Sequence, residues 1–162
     1  MKSIYIPKNY SRDSLIYLAG IVDGEGAFVI SKHRSNHKRG YNYQARLEIS
    51  NTIETLIDWL VLNFDGRKSI QIRDDATHKR KNVYKWVIEG ERLTHISELI
   101  YPFSTIKKSE IDIILKIRHS MEKPVVCKGK QGIQSLSQEI LDYRQSLFEQ
   151  LKAIHNRSCP KH

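Results

Sequence analysis

Apolar residues recur along this chain with two alternating periods, and each change of period predicts a boundary between a helix and a strand. A return every three or four positions indicates a helix, and alternation with polar residues indicates a strand. On this basis the chain begins with a helix, a hairpin, a second helix and a second hairpin. The predicted segments are a helix over 11–26, strands over 27–34 and 41–50, a helix over 51–64, and strands over 67–74 and 82–89.

The pattern becomes helical again after Gly90. It predicts a short helix closed by Pro102, another around 111–118, and, after a basic turn-prone stretch, an amphipathic C-terminal helix over 136–154. The order is αββαββα followed by more helix, which makes the predicted fold class α+β, with an antiparallel sheet packed on helices. We expect residues 1–121 to form the core and residues 122–162 to add a basic loop and a C-terminal helix to the same domain.

Charge then narrows the class of partner. The 162 residues contain 27 Lys and Arg against 18 Asp and Glu, a net charge of +9, which favours a polyanion and above all nucleic acid. A membrane partner is not expected, because no apolar run is long enough to span one and residues 1–7 lack the apolar core of a signal peptide. Cys127 and Cys159 have no partners at metal-ligand spacing, so we expect an intracellular, reducing compartment and no zinc site.

The sheet offers a surface for such a partner, because the polar alternates of both hairpins share one side. Their side chains suit base edges in the major groove of DNA. This set comprises Gln44, Arg46, Glu48, Gln71, Arg73 and Lys85. A basic group at the first hairpin turn would extend the positive field toward phosphates. It comprises Lys32, His33, Arg34, Lys38 and Arg39. For any single residue, a merely solvated polar face is an equally open interpretation.

The first helix has two features that point to chemistry. Gly20 and Gly24 share a face with Ile16, and the lack of side-chain relief there invites a second backbone to approach. Glu25 ends the helix, where the dipole already concentrates negative charge, so a divalent cation would stabilise it. If a second copy packs on the glycine face, two such carboxylates converge and need metal or shared protons. A glycine-rich C-cap and turn is the simpler alternative.

The run from Leu18 to Gly26, with the following residues 27–30, resembles the signature helix and first strand of the LAGLIDADG homing endonucleases. The resemblance covers Ser11 to about Arg118 and implies the same αββαββα order. It implies that Glu25, with the carbonyl of Gly24, binds Mg²⁺, for which we expect Mn²⁺ to substitute. Asp23, the other acid of the run, is expected to be structural.

The same resemblance assigns two further catalytic positions. Lys107 follows a Pro-Phe pair at the spacing of the family's active-site lysine, although an ordinary basic residue in the first turn of a helix is an equal alternative. Asn51 stands at the end of the second strand, where some members have a water-positioning Gln. Thr55 stands where a further basic residue is often found, and this departure leaves full catalytic competence open.

Because the signature run occurs once, the resemblance implies a homodimer joined through Ile16, Gly20 and Gly24. The predicted function is an intron-encoded, site-specific endonuclease that cleaves a long pseudo-palindromic site in double-stranded DNA. The alternative is an RNA maturase or a non-cleaving DNA-binding protein of the same fold. A third hypothesis, a basic ribosome-associated protein, would bind with little preference among duplex sequences.

Overall fold

The computed structural model describes residues 8–34, 41–75, 78–79, 81–122, 127–128 and 134–157. The predicted α+β class and the αββαββα order are confirmed. The helices are α1 Arg12–Glu25, α2 Glu54–Phe64, α3 Gly90–Ile100, α4 Lys108–Glu122 and α5 Gln138–Arg157. The long strands are β1 Gly26–Arg34, β2 Tyr41–Asn51, β3 Arg67–Gln71 and β6 Val83–Glu89.

The long strands form one antiparallel sheet in the order β1-β2-β6-β3. Two short ladders accompany it, and each joins a pair of two-residue strands. They are β4 Asp74–Asp75 with β5 His78–Lys79, and β7 Cys127–Lys128 with β8 Gln134–Ser135. The first lies at the tip of the second hairpin, so the predicted strands there are shorter than expected. The second lies partly within the stretch predicted to be only turns.

α1 begins and ends where the sequence predicts. The Ser11 hydroxyl accepts a hydrogen bond from the Ser14 amide at 3.2 Å and caps the first turn. At the other end Gly26 leaves the helix in an extended conformation and starts β1 directly. The glycine-rich end is therefore an abrupt change from helix to strand, which places Glu25 at the edge of the sheet.

α2 begins later than predicted. The predicted helix started at Asn51, but Asn51 is the last residue of β2 and the helix starts at Glu54. The Asn51 Oδ1 accepts a hydrogen bond from the Ile53 amide at 2.9 Å. Asn side chains compete with helical hydrogen bonds in this way, because they offer the backbone a local turn instead.

The core lies between the sheet and the helices, and Phe28, Phe64 and Trp86 are its largest fully buried side chains. Leu147 and Leu151 of α5 belong to the same apolar cluster, so the C-terminal helix packs on the core. Within the described residues no helix is both long and apolar enough to cross a membrane.

Candidate active site and nucleic-acid interface

Asp23 ties the end of α1 to the segment that leads into α4. Its Oδ1 accepts hydrogen bonds from the Ser104 hydroxyl at 2.5 Å and the Lys107 amide at 3.1 Å. Its Oδ2 accepts from the amides of Thr105 at 2.7 Å and Ile106 at 3.2 Å. Burial by itself raises the pKa of Asp23, but these hydrogen bonds outweigh it and hold the pKa below its usual value. The structural role expected of Asp23 is confirmed.

Glu25 has very different surroundings, although it lies only two residues further along. It is exposed, and the last turn of α1 contains no basic residue. No hydrogen bond or ion pair joins its carboxylate to another described residue. Gly24 is among the last residues of the helix, whose carbonyls have no acceptor role within it. The exposed end of α1 therefore presents a carboxylate and a helix-terminal carbonyl, which are oxygen donors of the type that hard cations bind.

A single chain does not complete a metal site in the part that the structure describes. No group of three or more His, Cys, Asp or Glu side chains there could enclose an ion. Carboxylate and carbonyl oxygens are nevertheless the donors that Mg²⁺ prefers, and this ion keeps several waters when it binds proteins. Glu25 and Gly24 are thus oxygen donors of the type that suits Mg²⁺, and a complete site would need further ligands from outside this part of the chain.

The glycine face of α1 is open. Ile16 is 44% exposed, and a Cβ added at Gly20 or Gly24 would meet nothing within 4 Å. The opposite face of the helix is buried in the core through Leu15 and Leu18, among others. Packing within the chain therefore does not require glycine at these two positions. Glycines on an open helix face are expected where another molecule packs closely on that face.

Lys107 lies just before α4, and its amine is held within the protein. Its Nζ donates a hydrogen bond to Glu110 Oε1 at 2.9 Å, and Glu110 is only 5% exposed. The other carboxylate oxygen of Glu110 lies 3.1 Å from His155 Nε2 on α5. Because the Lys107 amide also binds Asp23, the backbone of this lysine is fixed against the end of α1. The fold thus brings Lys107 to the same end of α1 that carries Glu25.

Asn51 and Thr55 lie where β2 gives way to α2. The amide oxygen of Asn51 accepts a hydrogen bond from the Ile53 amide, which leaves its amide nitrogen and the second lone pair of that oxygen to orient a water molecule. Thr55 is exposed on the first turn of α2. The catalytic role of Asn51 stays a prediction.

The sheet has one polar face, and the register of its strands defines it. Glu48 pairs with Val87, and Ser50 pairs with Lys85, so β2 and β6 present these side chains on the same side, opposite the core. The residues predicted to contact DNA that share this face are His33, Gln44, Arg46, Glu48, Gln71 and Lys85. Arg73, which follows β3, is exposed.

Glu48 organises the centre of this polar face. It accepts a hydrogen bond from Arg46 Nε through one oxygen and from Lys85 Nζ, at 3.0 Å, through the other. Burial raises the pKa of Glu48, but the hydrogen bonds and charges of Lys85 and Arg46 outweigh it, so its pKa is lowered. Arg46 also donates to the Ser31 hydroxyl at 2.6 Å. Two cations are therefore held in fixed positions instead of moving freely in solvent.

Part of the predicted basic group lies elsewhere. Lys32 is two residues after Ile30 and four after Phe28 in β1, so its side chain points to the same side as these buried residues, toward the helices. Its amine donates to Gln145 Oε1 of α5 at 2.7 Å and lies 3.9 Å from the centre of the Tyr41 ring. The structure therefore does not bring Lys32 to the polar face. Arg34 follows the same alternation at the exposed end of β1, and Lys38 and Arg39 lie outside the described residues.

Comparison with known proteins agrees with this arrangement. A family model described as LAGLIDADG endonuclease matches residues 18–117, which is more than half of the chain. The chain belongs to the LAGLIDADG endonuclease family. The match begins within α1, includes both hairpins and Lys107, and ends within α4.

One curated relative of this LAGLIDADG chain is the DNA endonuclease I-CreI of Chlamydomonas reinhardtii. The two are 27% identical over 109 residues, which cover 67% of this chain and 64% of the relative. The aligned part thus spans slightly less than two thirds of the relative's length.

Two solved structures share the fold. The homing endonuclease I-CvuI, in complex with its target in the presence of calcium, superimposes with a TM-score of 0.63 at 14% identity, over 86% of this chain and 80% of that one. I-SmaMI, bound to uncleaved DNA in the presence of calcium, gives 0.61 at 22% identity, over 91% of this chain but 50% of that one. One copy of the LAGLIDADG fold seen here thus corresponds to half of the longer I-SmaMI chain.

The sequence pattern did not indicate two residues of this candidate site, Glu110 and His155. Glu110 lies in the first turn of α4, where an acidic residue ordinarily serves the helix dipole, so its spacing from Lys107 was the only available signal. His155 comes from a helix for which the sequence offered no motif. Its contact with Glu110 joins residues 45 positions apart, which no local pattern indicates.

Proposed function

We propose that this chain is a site-specific DNA endonuclease that acts as a homodimer on a long, pseudo-palindromic duplex and hydrolyses phosphodiester bonds with Mg²⁺, which Mn²⁺ can replace. The observation that carries the proposal is the contrast between the two acids of α1. Asp23 is saturated by hydrogen bonds, whereas Glu25 is exposed, without a described partner, at the negative end of the same helix.

The polar face of the sheet supports DNA as the substrate. Arg46 and Lys85 are fixed by Glu48, and Gln44 donates to Glu89 Oε2 at 2.6 Å, so donors and acceptors stand in a defined pattern. Such preorganised side chains can distinguish base edges in the major groove, while the net charge of +9 favours attraction to phosphates.

The open glycine face supports a dimer. Two α1 helices that pack through Gly20 and Gly24 would bring both Glu25 side chains to the middle of the assembly, one for each DNA strand. The likeness to the longer I-SmaMI chain, of which one copy of this fold covers 50%, agrees with a need for two copies. A symmetric pair then recognises two half-sites of related sequence.

In this proposal each protein group has a separate task. Glu25 and Gly24 would hold the cation, which would supply Lewis-acid stabilisation of the phosphoryl group and activation of water. Lys107 places positive charge beside the negative charge that develops on the phosphate. Asn51 orients water through its side-chain amide group. Asp23 keeps Lys107 and Glu25 at the same end of α1.

The test begins with a randomised duplex library, which is incubated with the protein and Mg²⁺ before the cut ends are sequenced. Sites found in this way are then offered to Glu25→Gln. We expect cleavage to fall by more than about 100-fold, because a bound metal contributes several kcal/mol of transition-state stabilisation. Binding, measured in calcium, should change little.

Asp13→Asn is the matched control, because Asp13 is an exposed acid at the other end of the same helix. It should cleave like the unaltered chain. Uncut library DNA would refute the proposal, and so would a Glu25→Gln variant that still cuts. Sequence-specific binding without cleavage by the unaltered chain would instead favour the non-cleaving alternative.

A further inference from the structure

Glu110 is a nearly buried carboxylate, only 5% exposed, and polar partners contact both of its oxygens. Lys107, three residues earlier, donates to one of its oxygens at 2.9 Å. His155, on the C-terminal helix, lies 3.1 Å from the other. A buried carboxylate is costly unless such partners compensate it, so this cluster is a constructed feature of the fold.

One partner of Glu110 is Lys107, the lysine to which the proposed function gives a catalytic role. A lysine side chain has several rotatable bonds, and fixing them in advance removes an entropic cost from the reaction. Lys107 is fixed twice, since Asp23 accepts its backbone N–H and Glu110 accepts from its amine. Its side chain is still 20% exposed, so the hydrogen bond to Glu110 does not seal it from the surface.

The partner on the other side of Glu110 belongs to α5. Leu151, one helical turn before His155, is buried in the core, and this anchors α5 beside α4. His155 can therefore hold the far oxygen of Glu110 while its own ring stays 42% exposed. The C-terminal helix thus reaches the active-site lysine through one intermediate side chain.

From this geometry we infer that Glu110 and His155 are positioning residues for Lys107, so that α5 is part of the catalytic apparatus. The inference rests on the proposed endonuclease function. Neither residue needs to touch DNA or metal. Glu110 aims the amine of Lys107, and His155 keeps the Glu110 carboxylate from rotating away.

A first experiment needs no nuclease activity. The free protein is pulsed with an acetylating reagent, and the modification of Lys107 is followed by mass spectrometry, with the exposed Lys108 as internal reference. Glu110→Gln should raise the ratio of Lys107 to Lys108 labelling several-fold, and His155→Ala should raise it less. An unchanged ratio in both variants would overturn the inference even if the protein were an active nuclease.

A second experiment measures single-turnover cleavage. Glu110→Gln should slow it by roughly 10- to 100-fold, the range typical of lost supporting contacts, with DNA affinity unchanged. In a Lys107→Met background the same substitution should change the rate by less than about twofold, because the group that it positions is already gone. Equal effects in the two backgrounds would show a merely structural role and refute the inference.

A matched control exists in the pair formed by His119 and Glu98, whose Nε2 and Oε1 atoms are 3.4 Å apart on exposed surfaces of α4 and α3. Glu98→Gln should alter neither labelling nor cleavage. Because His155 is partly exposed, its substitution leaves no core cavity and keeps the test valid should Glu110→Gln fold poorly. Failure of the unaltered chain to cleave would refute the proposed function and leave the labelling result to decide on the positioning of Lys107.

Discussion

Replacement of Asp23 by Asn tests how the end of α1 is connected to residues 104–107. The two carboxylate oxygens of Asp23 accept four hydrogen bonds, two each, from residues 104–107. An Asn side chain retains one acceptor oxygen and turns an NH₂ group toward the donors that faced the other. Two hydrogen bonds are therefore lost, and the remaining two are no longer made to a charged acceptor.

The magnitude follows from that count. A hydrogen bond to a charged group contributes about 1.5–3 kcal/mol when it is well buried. Asp23 is only partly buried, and water can replace part of what is lost, so we take about 1 kcal/mol for each lost bond. The expected decrease in the free energy of unfolding is about 2 kcal/mol. With a urea slope of about 2 kcal/mol per molar, the unfolding midpoint should fall by about 1 M.

The assay is urea unfolding together with amide hydrogen exchange of residues 105–107, whose N–H groups donate to Asp23 in the unaltered chain. Asp58→Asn is the control, because it removes an exposed carboxylate whose partner, Lys68, keeps a second ion pair with Glu54. Exposed pairs of this kind contribute at most about 1 kcal/mol. If Asp23→Asn shifts the midpoint no more than Asp58→Asn, or if residues 105–107 keep their protection, the argument that Asp23 holds the loop is refuted.

Two further predictions concern the open face of α1 and the polar face of the sheet. Gly20→Ala should stabilise the isolated chain by about 0.5–1 kcal/mol, because a Cβ there meets no atom within 4 Å and glycine weakens a helix. The same substitution should lower the dimer fraction measured by analytical ultracentrifugation. A more stable dimer would contradict the proposed interface. The lowered pKa of Glu48 stabilises the fold above its unfolded-state pKa, near pH 4, and this contribution is lost as pH falls through the folded-state pKa. Glu48→Gln should therefore flatten the acid limb of the stability curve below about pH 4.5, and an unchanged acid limb would contradict it.

Local patterns predicted most of the secondary structure because each element has a strong period and clear ends. The first helix lies between Ser11 and Gly26 as expected, since the capping of a helix and its termination at glycine depend on only a few neighbouring residues. The start of α2 was wrong because Asn51 forms a side-chain turn, an interaction that competes with the helical pattern over the same short range. The side of the sheet on which Lys32 lies also follows from strand alternation, but its bond to Gln145 depends on where α5 packs.

The sequence by itself determined the family, the element order and the two acids of α1, because these are carried by residues adjacent in the chain. Tertiary structure decided how different the surroundings of those two acids are. Asp23 meets donors from residues 104–107, some eighty positions away, and only the packing of α1 beside the start of α4 brings them together. It likewise decided that His155 meets Glu110, since a contact between two helices depends on how their apolar faces pack and not on any local spacing.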